Sequence, residues 1–238
     1  MSVPPSADAR IFVGAAAFVR QPTGVEFWNI RGVLLLITGA SGVGKTSARV
    51  AIEDELGAAV ECVELHHVLP PLSPVQMNRE WRQRAAEVAV ARAIELQAEG
   101  RHLLLAGDPV PAIEIVAAPS SPGLDAVAVC LLHADPEAQA SRLRERGDHP
   151  GLALLPDHQA FADWMRCQAT DPLHMPHVAS TNGWDAMRWD RLPRVAEGWG
   201  MEIIDTSRLN QSEVATLVLG WCREALQGTV PMLHVPDD

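Results

Sequence analysis

Gly39-Ala40-Ser41-Gly42-Val43-Gly44-Lys45-Thr46 is the stretch that decides how this chain folds. It satisfies the pattern G-x-x-x-x-G-K-S/T at every fixed position. Directly before it, Val33-Leu34-Leu35-Leu36-Ile37 is an unbroken apolar run, the pattern of a strand buried on both faces of a parallel sheet. Directly after it, Lys45 to Leu56 is expected to be a helix, with Ala48, Ala51, Ile52 and Leu56 on one side. Strand, glycine-rich turn and helix in succession are the context this pattern needs to bind phosphate. The competing reading, a turn that binds nothing, has all three against it.

Each residue type in the loop has a physical reason. A phosphate chain has to approach backbone N–H groups closely, and glycine leaves that approach open. Successive N–H groups form an anion nest, reinforced by the positive end of the following helix. Lys45 is expected to reach the β- and γ-phosphates, and the Thr46 hydroxyl to ligate Mg²⁺. The expected nucleotide contacts are therefore Gly39, Ala40, Ser41, Gly42, Val43, Gly44, Lys45 and Thr46, with Ser47 adjoining. The expected cofactors are ATP and Mg²⁺.

Composition narrows the partners. A chain of 238 residues, 47% apolar, has material for one large α/β domain or two small ones. A net charge of −11 argues against a general nucleic-acid or acidic-membrane partner, since both need a basic face. Cys62, Cys130, Cys167 and Cys222 are far apart and form no C-x-x-C pair, which suits a reducing cytoplasm. No apolar run approaches the ~20 residues of a membrane span. A nucleotide requirement points to the cytoplasm as well.

Along the chain, residues 1–31 read as an N-terminal extension. Ile11 to Val19 and Ala15-Ala16-Ala17 give only a weak signal-peptide pattern. Ala58 to Leu65 reads as the second strand, ending in Glu64-Leu65-His66-His67; these polar residues stand where parallel sheets gather function, or else simply face water. Ser73-Pro74-Val75-Gln76 has the form of a capping box, opening a helix expected to run to about Glu99. Near its start, Arg79, Arg82 and Arg84 are either a solvated face or contacts to an anionic substrate.

Leu103-Leu104-Leu105-Ala106 is the third strand, followed by Gly107-Asp108-Pro109. Asp108 can hold Mg²⁺ through water, as a Walker-B carboxylate does, or can merely form a turn. A short helix spans 111–118, and Ala126 to Leu132 is the fourth strand. Asp135 caps the next helix, with Pro136 at its first position, and Arg142 and Arg146 share one face of it. Asp157 to Ala169 is a further helix. His149, His158, His174 and His177 lack metal-ligand spacing. Trp184, Met187 and Trp189 are packing residues or the cover of a substrate. Met201 to Ile204 is the fifth strand, before Asp205-Thr206-Ser207, and Asn210-x-x-Glu213 opens the last helix. Residues 228–238 are expected to be a frayed tail.

Five apolar strands alternating with helices imply an α/β, three-layer arrangement with a five-stranded parallel sheet. The expected division is an α/β domain over 32–227, with a helical lid insertion at about 142–199.

On the residues Gly39 to Thr46, Arg142-Leu-x-x-Arg146 and Asp205-Thr206-Ser207, the chain resembles the P-loop small-molecule and nucleotide kinases, a group that includes nucleoside-monophosphate, gluconate and shikimate kinases and antibiotic phosphotransferases. The resemblance spans roughly Val33 to Leu226. It implies the P-loop NTPase fold and transfer of the γ-phosphoryl of ATP to a small-molecule acceptor. It also implies that Arg142 and Arg146 open a lid and steady the transferring phosphoryl, and that Thr206 and Ser207 lie beside the adenine. Many of these kinases place Asp, often Asp-x-Asp, at the end of the second strand. Here that place reads Glu64-Leu65-His66, so Glu64, His66 and Asp108 all remain candidates for the base. The alternative to a kinase is a nucleotide-dependent switch or an ATPase without an acceptor. The first usually carries an Asn-Lys-x-Asp motif that this sequence lacks.

Overall fold

The structure is a computed structural model of the chain and describes residues 10–13, 31–71, 73 and 77–237. Five strands run parallel: β2 (Val33–Thr38), β3 (Val60–Val63), β4 (His102–Leu105), β5 (Ala126–His133) and β6 (Met201–Asp205). A sixth strand, β1 (Arg10–Val13), pairs antiparallel with β6, Arg10 opposite Ile204. The sheet order is β1-β6-β5-β2-β4-β3. The five expected parallel strands are therefore present. The antiparallel edge strand from within the N-terminal extension is an addition that residues 10–13 did not announce, because a four-residue strand carries too little periodicity.

The apolar run of β2 serves both faces of the sheet. Side chains alternate along a strand, so Leu34 and Leu36 enter one core while Val33, Leu35 and Ile37 enter the other. The second core is closed by α1 (Lys45–Leu56) and α10 (Gln211–Leu226), through Ala48, Ile52, Val214, Val218 and Trp221. The first is closed by α3 (Arg79–Ala98), α4 (Ala112–Ala117) and α7 (Leu155–Gln168), through Ala89, Val90, Ile113, Val116 and Trp164. Helix, sheet and helix make three layers. With the glycine loop joining β2 to α1, this is the P-loop NTPase fold.

Three local readings change. The second strand stops at Val63, and Glu64 becomes the N-cap of a single helical turn, α2 (Leu65–Val68). Helix α3 starts at Arg79, where the Asn78 side chain accepts from the Trp81 N–H at 2.9 Å. Pro74, Val75 and Gln76 of the expected capping box lie outside the described residues. The C-terminal tail is docked: Leu233 exchanges two backbone hydrogen bonds with Val127, of 2.8 and 3.0 Å. Its reason is register. Strand β6 meets β5 only from Cys130 onward, which leaves the first half of that edge of β5 unpaired.

Between α5 (Pro136–Glu145) and β6 lie α6 (His149–Ala153), α7, α8 (His177–Ser180) and α9 (Leu192–Val195). Much of this stretch packs on the sheet, since Trp164, Met165, Leu192 and Trp199 are core residues. Among the described residues, no helix is long and apolar enough to cross a membrane.

Candidate phosphate and acceptor site

The site lies at the carboxyl ends of β2, β3, β4 and β5, where a parallel α/β sheet opens its crevice. Gly39 has φ +139°, and a Cβ there would fall 2.2 Å from the Leu132 carbonyl oxygen at the end of β5. Only glycine lets the loop leave the sheet at that point. Gly44, at φ +102°, is the N-cap of α1 and faces open space with nothing within 4 Å. The loop therefore presents bare backbone toward a small cavity of about 110 Å³, lined by Ser41, Gly44, Lys45, Thr46, Ser47, Gly107, Pro109 and Arg146. Ala40 and Val43 are buried and offer backbone alone.

Lys45 is the only lysine in the chain. It is 4% exposed, and its Nζ donates to the Ala40 carbonyl of its own loop at 2.7 Å. Burial lowers its pKa from 10.5 to about 7; Asp108 and Glu64 oppose that fall and Arg146 adds to it. The ammonium is thus short of negative charge, which is what a phosphate chain would supply.

The acidic wall comes from the ends of β3 and β4. Asp108 Oδ2 accepts from the Leu65 N–H at 3.0 Å, satisfying a donor that the start of α2 leaves open. It lies 3.3 Å from His66 Nδ1, and Glu64 Oε2 lies 3.5 Å from the same nitrogen. The Glu64 carboxylate packs against Gly107, where a Cβ would fall 2.3 Å from its Cδ. Arg49 Nε donates to Glu64 Oε1 at 3.3 Å, and Arg49 also pairs with Glu53 at 2.7 Å. Thr38 Oγ1 donates to the Val110 carbonyl and ties the Asp108 loop to the end of β2. Glu64, His66 and Asp108 form the one cluster among the described residues whose ligand atoms converge closely enough for a metal ion. The histidines at 149, 158, 174 and 177 form none.

The two arginines of α5 do different things. Arg146 Nη2 donates to Ser41 Oγ at 3.0 Å, and Nε donates to Asp148 at 3.1 Å, so its guanidinium sits over the phosphate loop. Arg142 instead donates to Thr206 Oγ1 at 2.8 Å, to the Thr206 carbonyl, and to the Leu209 carbonyl at 3.3 Å. Thr206 is fully buried, its hydroxyl engaged with His133 and Val43 carbonyls as well. Ser207 turns away: its hydroxyl accepts from the Asp135 N–H at 2.8 Å and donates to Asp205. Neither Thr206 nor Ser207 lines the larger cavity beside the loop. That cavity, of about 520 Å³, is lined by Gly42, Gly44, Ser47, Arg142, Arg146, Leu209, Asn210 and Gln211, among others. The wall expected from Thr206 and Ser207 is thus supplied three residues later. The Asn210-x-x-Glu213 capping box was the available signal, since it places the start of α10 at this edge.

Arg79, Arg82 and Arg84 are all engaged within the protein. Arg82 makes a two-pronged pair with the fully buried Glu114, both contacts 2.7 Å, and Gln83 adds a third donor at 3.1 Å. Arg84 pairs with Glu80 at 2.8 Å and lies 4.8 Å from the Trp184 ring centroid. Arg79 donates to the Thr181 carbonyl. Arg82 is thereby committed to a buried partner, whereas Arg79 and Arg84 make their contacts at the exposed surface. Met187 is buried in the core, and Trp189 packs against it.

No protein-family model matches the sequence, and no curated protein matches it. Among solved structures, the chain is similar to a gluconokinase from Sinorhizobium meliloti 1021, with 17% identity and a TM-score of 0.48 over 84% of this chain and 97% of that one. It is also similar to shikimate kinase from Acinetobacter baumannii in complex with shikimate, with 16% identity and a TM-score of 0.45 over 85% and 96% of the two chains. The assignments that follow rest on this chain's own residues.

Proposed function

We propose that the protein is an ATP- and Mg²⁺-dependent phosphotransferase acting on a hydroxyl group of a small molecule. The observation that carries this reading is one juxtaposition. A buried, charge-starved lysine and a bare backbone cradle line a cavity whose far side is Gly107 and Pro109, and the carboxylates of Asp108 and Glu64, gathered with His66, lie near enough to act on the lysine's charge.

The phosphates of ATP lie in the loop 39–47, with Lys45 leaving the Ala40 carbonyl to meet them. The nucleoside occupies the larger cavity beside Leu209 to Gln211. The donors present suit Mg²⁺, a hard cation that takes oxygen: Thr46, exposed and lining the cavity, would offer its hydroxyl, and Asp108, between the lining residues Gly107 and Pro109, would hold the ion through water. When bound, the ion offsets charge on the phosphoryl oxygens.

In the reaction, the acceptor hydroxyl oxygen forms a bond to the γ-phosphorus, and the bond from that phosphorus to the β–γ bridging oxygen breaks. ADP leaves with the bonding pair. The hydroxyl proton passes to the Glu64–His66–Asp108 group. Arg146 and Lys45 meet the charge spread over the transferring oxygens, and each such contact is worth roughly 3 kcal/mol of barrier. Arg142 acts through Thr206, holding the loop at the end of β6 against the phosphate loop. The end of α5 with α6 is the element that closes over the phosphates and excludes water.

The test is ADP release with ATP and Mg²⁺ over a panel of sugars, nucleosides, nucleotides and amine-bearing polyols. Acceptor-dependent release that disappears in Lys45→Ala supports the proposal. Tight nucleotide binding without turnover on any acceptor would make the protein a switch. Release indifferent to acceptor would make it an ATPase.

A further inference from the structure

The loop 39–47 is held from behind by a side chain that the reaction itself does not use. Gln139 lies on α5 and is 1% exposed, in the buried face of that helix with Ala140 and Leu143. A buried amide is costly unless it is hydrogen-bonded. Its Nε2 donates to the Ser41 carbonyl at 2.6 Å, across 98 residues of chain. The two segments are in close contact, since a Cβ on Gly42 would fall 3.2 Å from Gln139 Cγ and 3.3 Å from the Gln139 carbonyl oxygen. Two residues on, the Val43 carbonyl lies 3.2 Å from Thr206 Oγ1, but that hydroxyl has one proton and the His133 carbonyl is closer, at 2.8 Å. Lys45 holds the Ala40 carbonyl, and that bond ends once the ammonium turns to phosphate. The bond from Gln139 is therefore the firmest hold on the loop that nucleotide binding leaves in place.

Peptide geometry turns this bond into an orientation. A trans peptide is planar, and its C=O and the following N–H point in opposite directions. No peptide among the described residues is cis. Fixing the Ser41 carbonyl on Gln139 therefore aims the Gly42 N–H away from Gln139, and Gly42 lines the larger cavity. Without such a hold this peptide turns over easily, because Gly42, at φ +84°, has both signs of φ open to it. The structure assigns Gln139 as a positioning residue, whose amide clamps the 41–42 peptide so that the Gly42 N–H stands ready for a nucleotide phosphate. The assignment rests on the phosphate-binding reading of the loop given above. Gln139 itself touches no phosphate. Its effect is preorganisation: an N–H that is already aimed need not be turned and ordered on binding.

The experiment uses the full chain and Mg²⁺–ADP. Ser41-Gly42 is the only Ser-Gly pair in the sequence, so serine labelled with ¹³C at the carbonyl, combined with ¹⁵N-glycine, isolates the Gly42 amide resonance. Calorimetry on the same samples gives the affinity. In the unmodified protein the Gly42 amide proton should move downfield as ADP binds. Gln139→Met keeps the length of the side chain and removes the donor. There the downfield movement should be lost and ADP should bind ~10-fold more weakly. Gln139→Glu decides the matter if Gln139→Met does not fold. Its carboxyl can donate to the Ser41 carbonyl only while protonated, so both the Gly42 movement and the affinity should return toward those of the unmodified protein as the pH is lowered from about 8 to about 5. A residue that merely supports the fold would lower stability in urea and leave the Gly42 movement and its pH dependence unchanged. ADP binding without movement of Gly42 in the unmodified protein, or full movement and full affinity in the folded variants, would overturn the assignment alone. No heat from the unmodified protein with Mg²⁺–ADP would instead overturn the phosphate-binding reading.

Discussion

Lys45→Met should stabilise the nucleotide-free protein while abolishing nucleotide binding, and the stabilisation should depend on pH in a defined way. The fall of the Lys45 pKa from 10.5 to about 7 corresponds to roughly 5 kcal/mol against the charged form. Methionine keeps the aliphatic stem and removes the buried charge. It also leaves the Ala40 carbonyl without its 2.7 Å donor, which costs about 2 kcal/mol. The net gain at about pH 6 is then ~3 kcal/mol, or roughly 6–12 °C in midpoint for a domain of this size. The sign follows from proton binding. Between about pH 7 and 10.5 the unfolded lysine holds a proton that the folded one has lost, so the unmodified protein gains ~1.4 kcal/mol of stability per pH unit across that window. The advantage of Lys45→Met is therefore full below about pH 7 and has shrunk to nearly nothing by about pH 9. Urea unfolding of both proteins across that range measures it. Because the chain has one lysine, a ¹³Cε-lysine label reports the titration from a single side-chain resonance. A variant advantage that does not change with pH, or a resonance titrating near 10.5, would refute the argument.

Further outcomes follow from the same geometry. Nucleotide binding at about pH 7.5 should take up ~0.8 proton as phosphate re-protonates Lys45, seen as buffer-dependent heat that Lys45→Arg removes. Arg146→Ala should lower turnover ~100-fold with stability changed by less than ~0.5 kcal/mol, because its pair with Asp148 is solvent-exposed. Arg142→Ala should instead lower stability by ~1–3 kcal/mol and raise the KM for nucleotide, since its bonds hold the buried Thr206 and the Leu209 carbonyl. Glu114→Ala should cost ~3–5 kcal/mol in urea unfolding by stranding the Arg82 guanidinium against a fully buried site.

The phosphate loop, its flanking strand and helix, and the alternation of five parallel strands with helices were legible in the residues, because local chemistry dictates them. Glycine where φ is positive, an apolar run wherever both faces are covered, and Asp135-Pro136 or Asn210-x-x-Glu213 where a helix begins are constraints a residue carries with it. Helix α1 runs over Lys45–Leu56 as its pattern implied. Local chemistry says little about which side chain a long guanidinium will find. Arg82 and Arg146 look alike as sequence, yet one is locked on Glu114, 32 residues away, and the other reaches Ser41, 105 residues away. Thr206 and Ser207 follow the end of β6, but their bonds with Arg142 and Asp135 hold both away from the larger cavity. The convergence of Glu64, His66 and Asp108 was equally invisible as a distance, because β3 and β4 become neighbours only in the sheet. Sequence alone determined that a glycine-rich loop of open backbone joins β2 to α1 and where along the chain it stands, since glycines and backbone N–H groups act over a few residues. Tertiary structure alone decided which charges remain to face a substrate, because pairing of ions depends on contacts that no short-range pattern encodes.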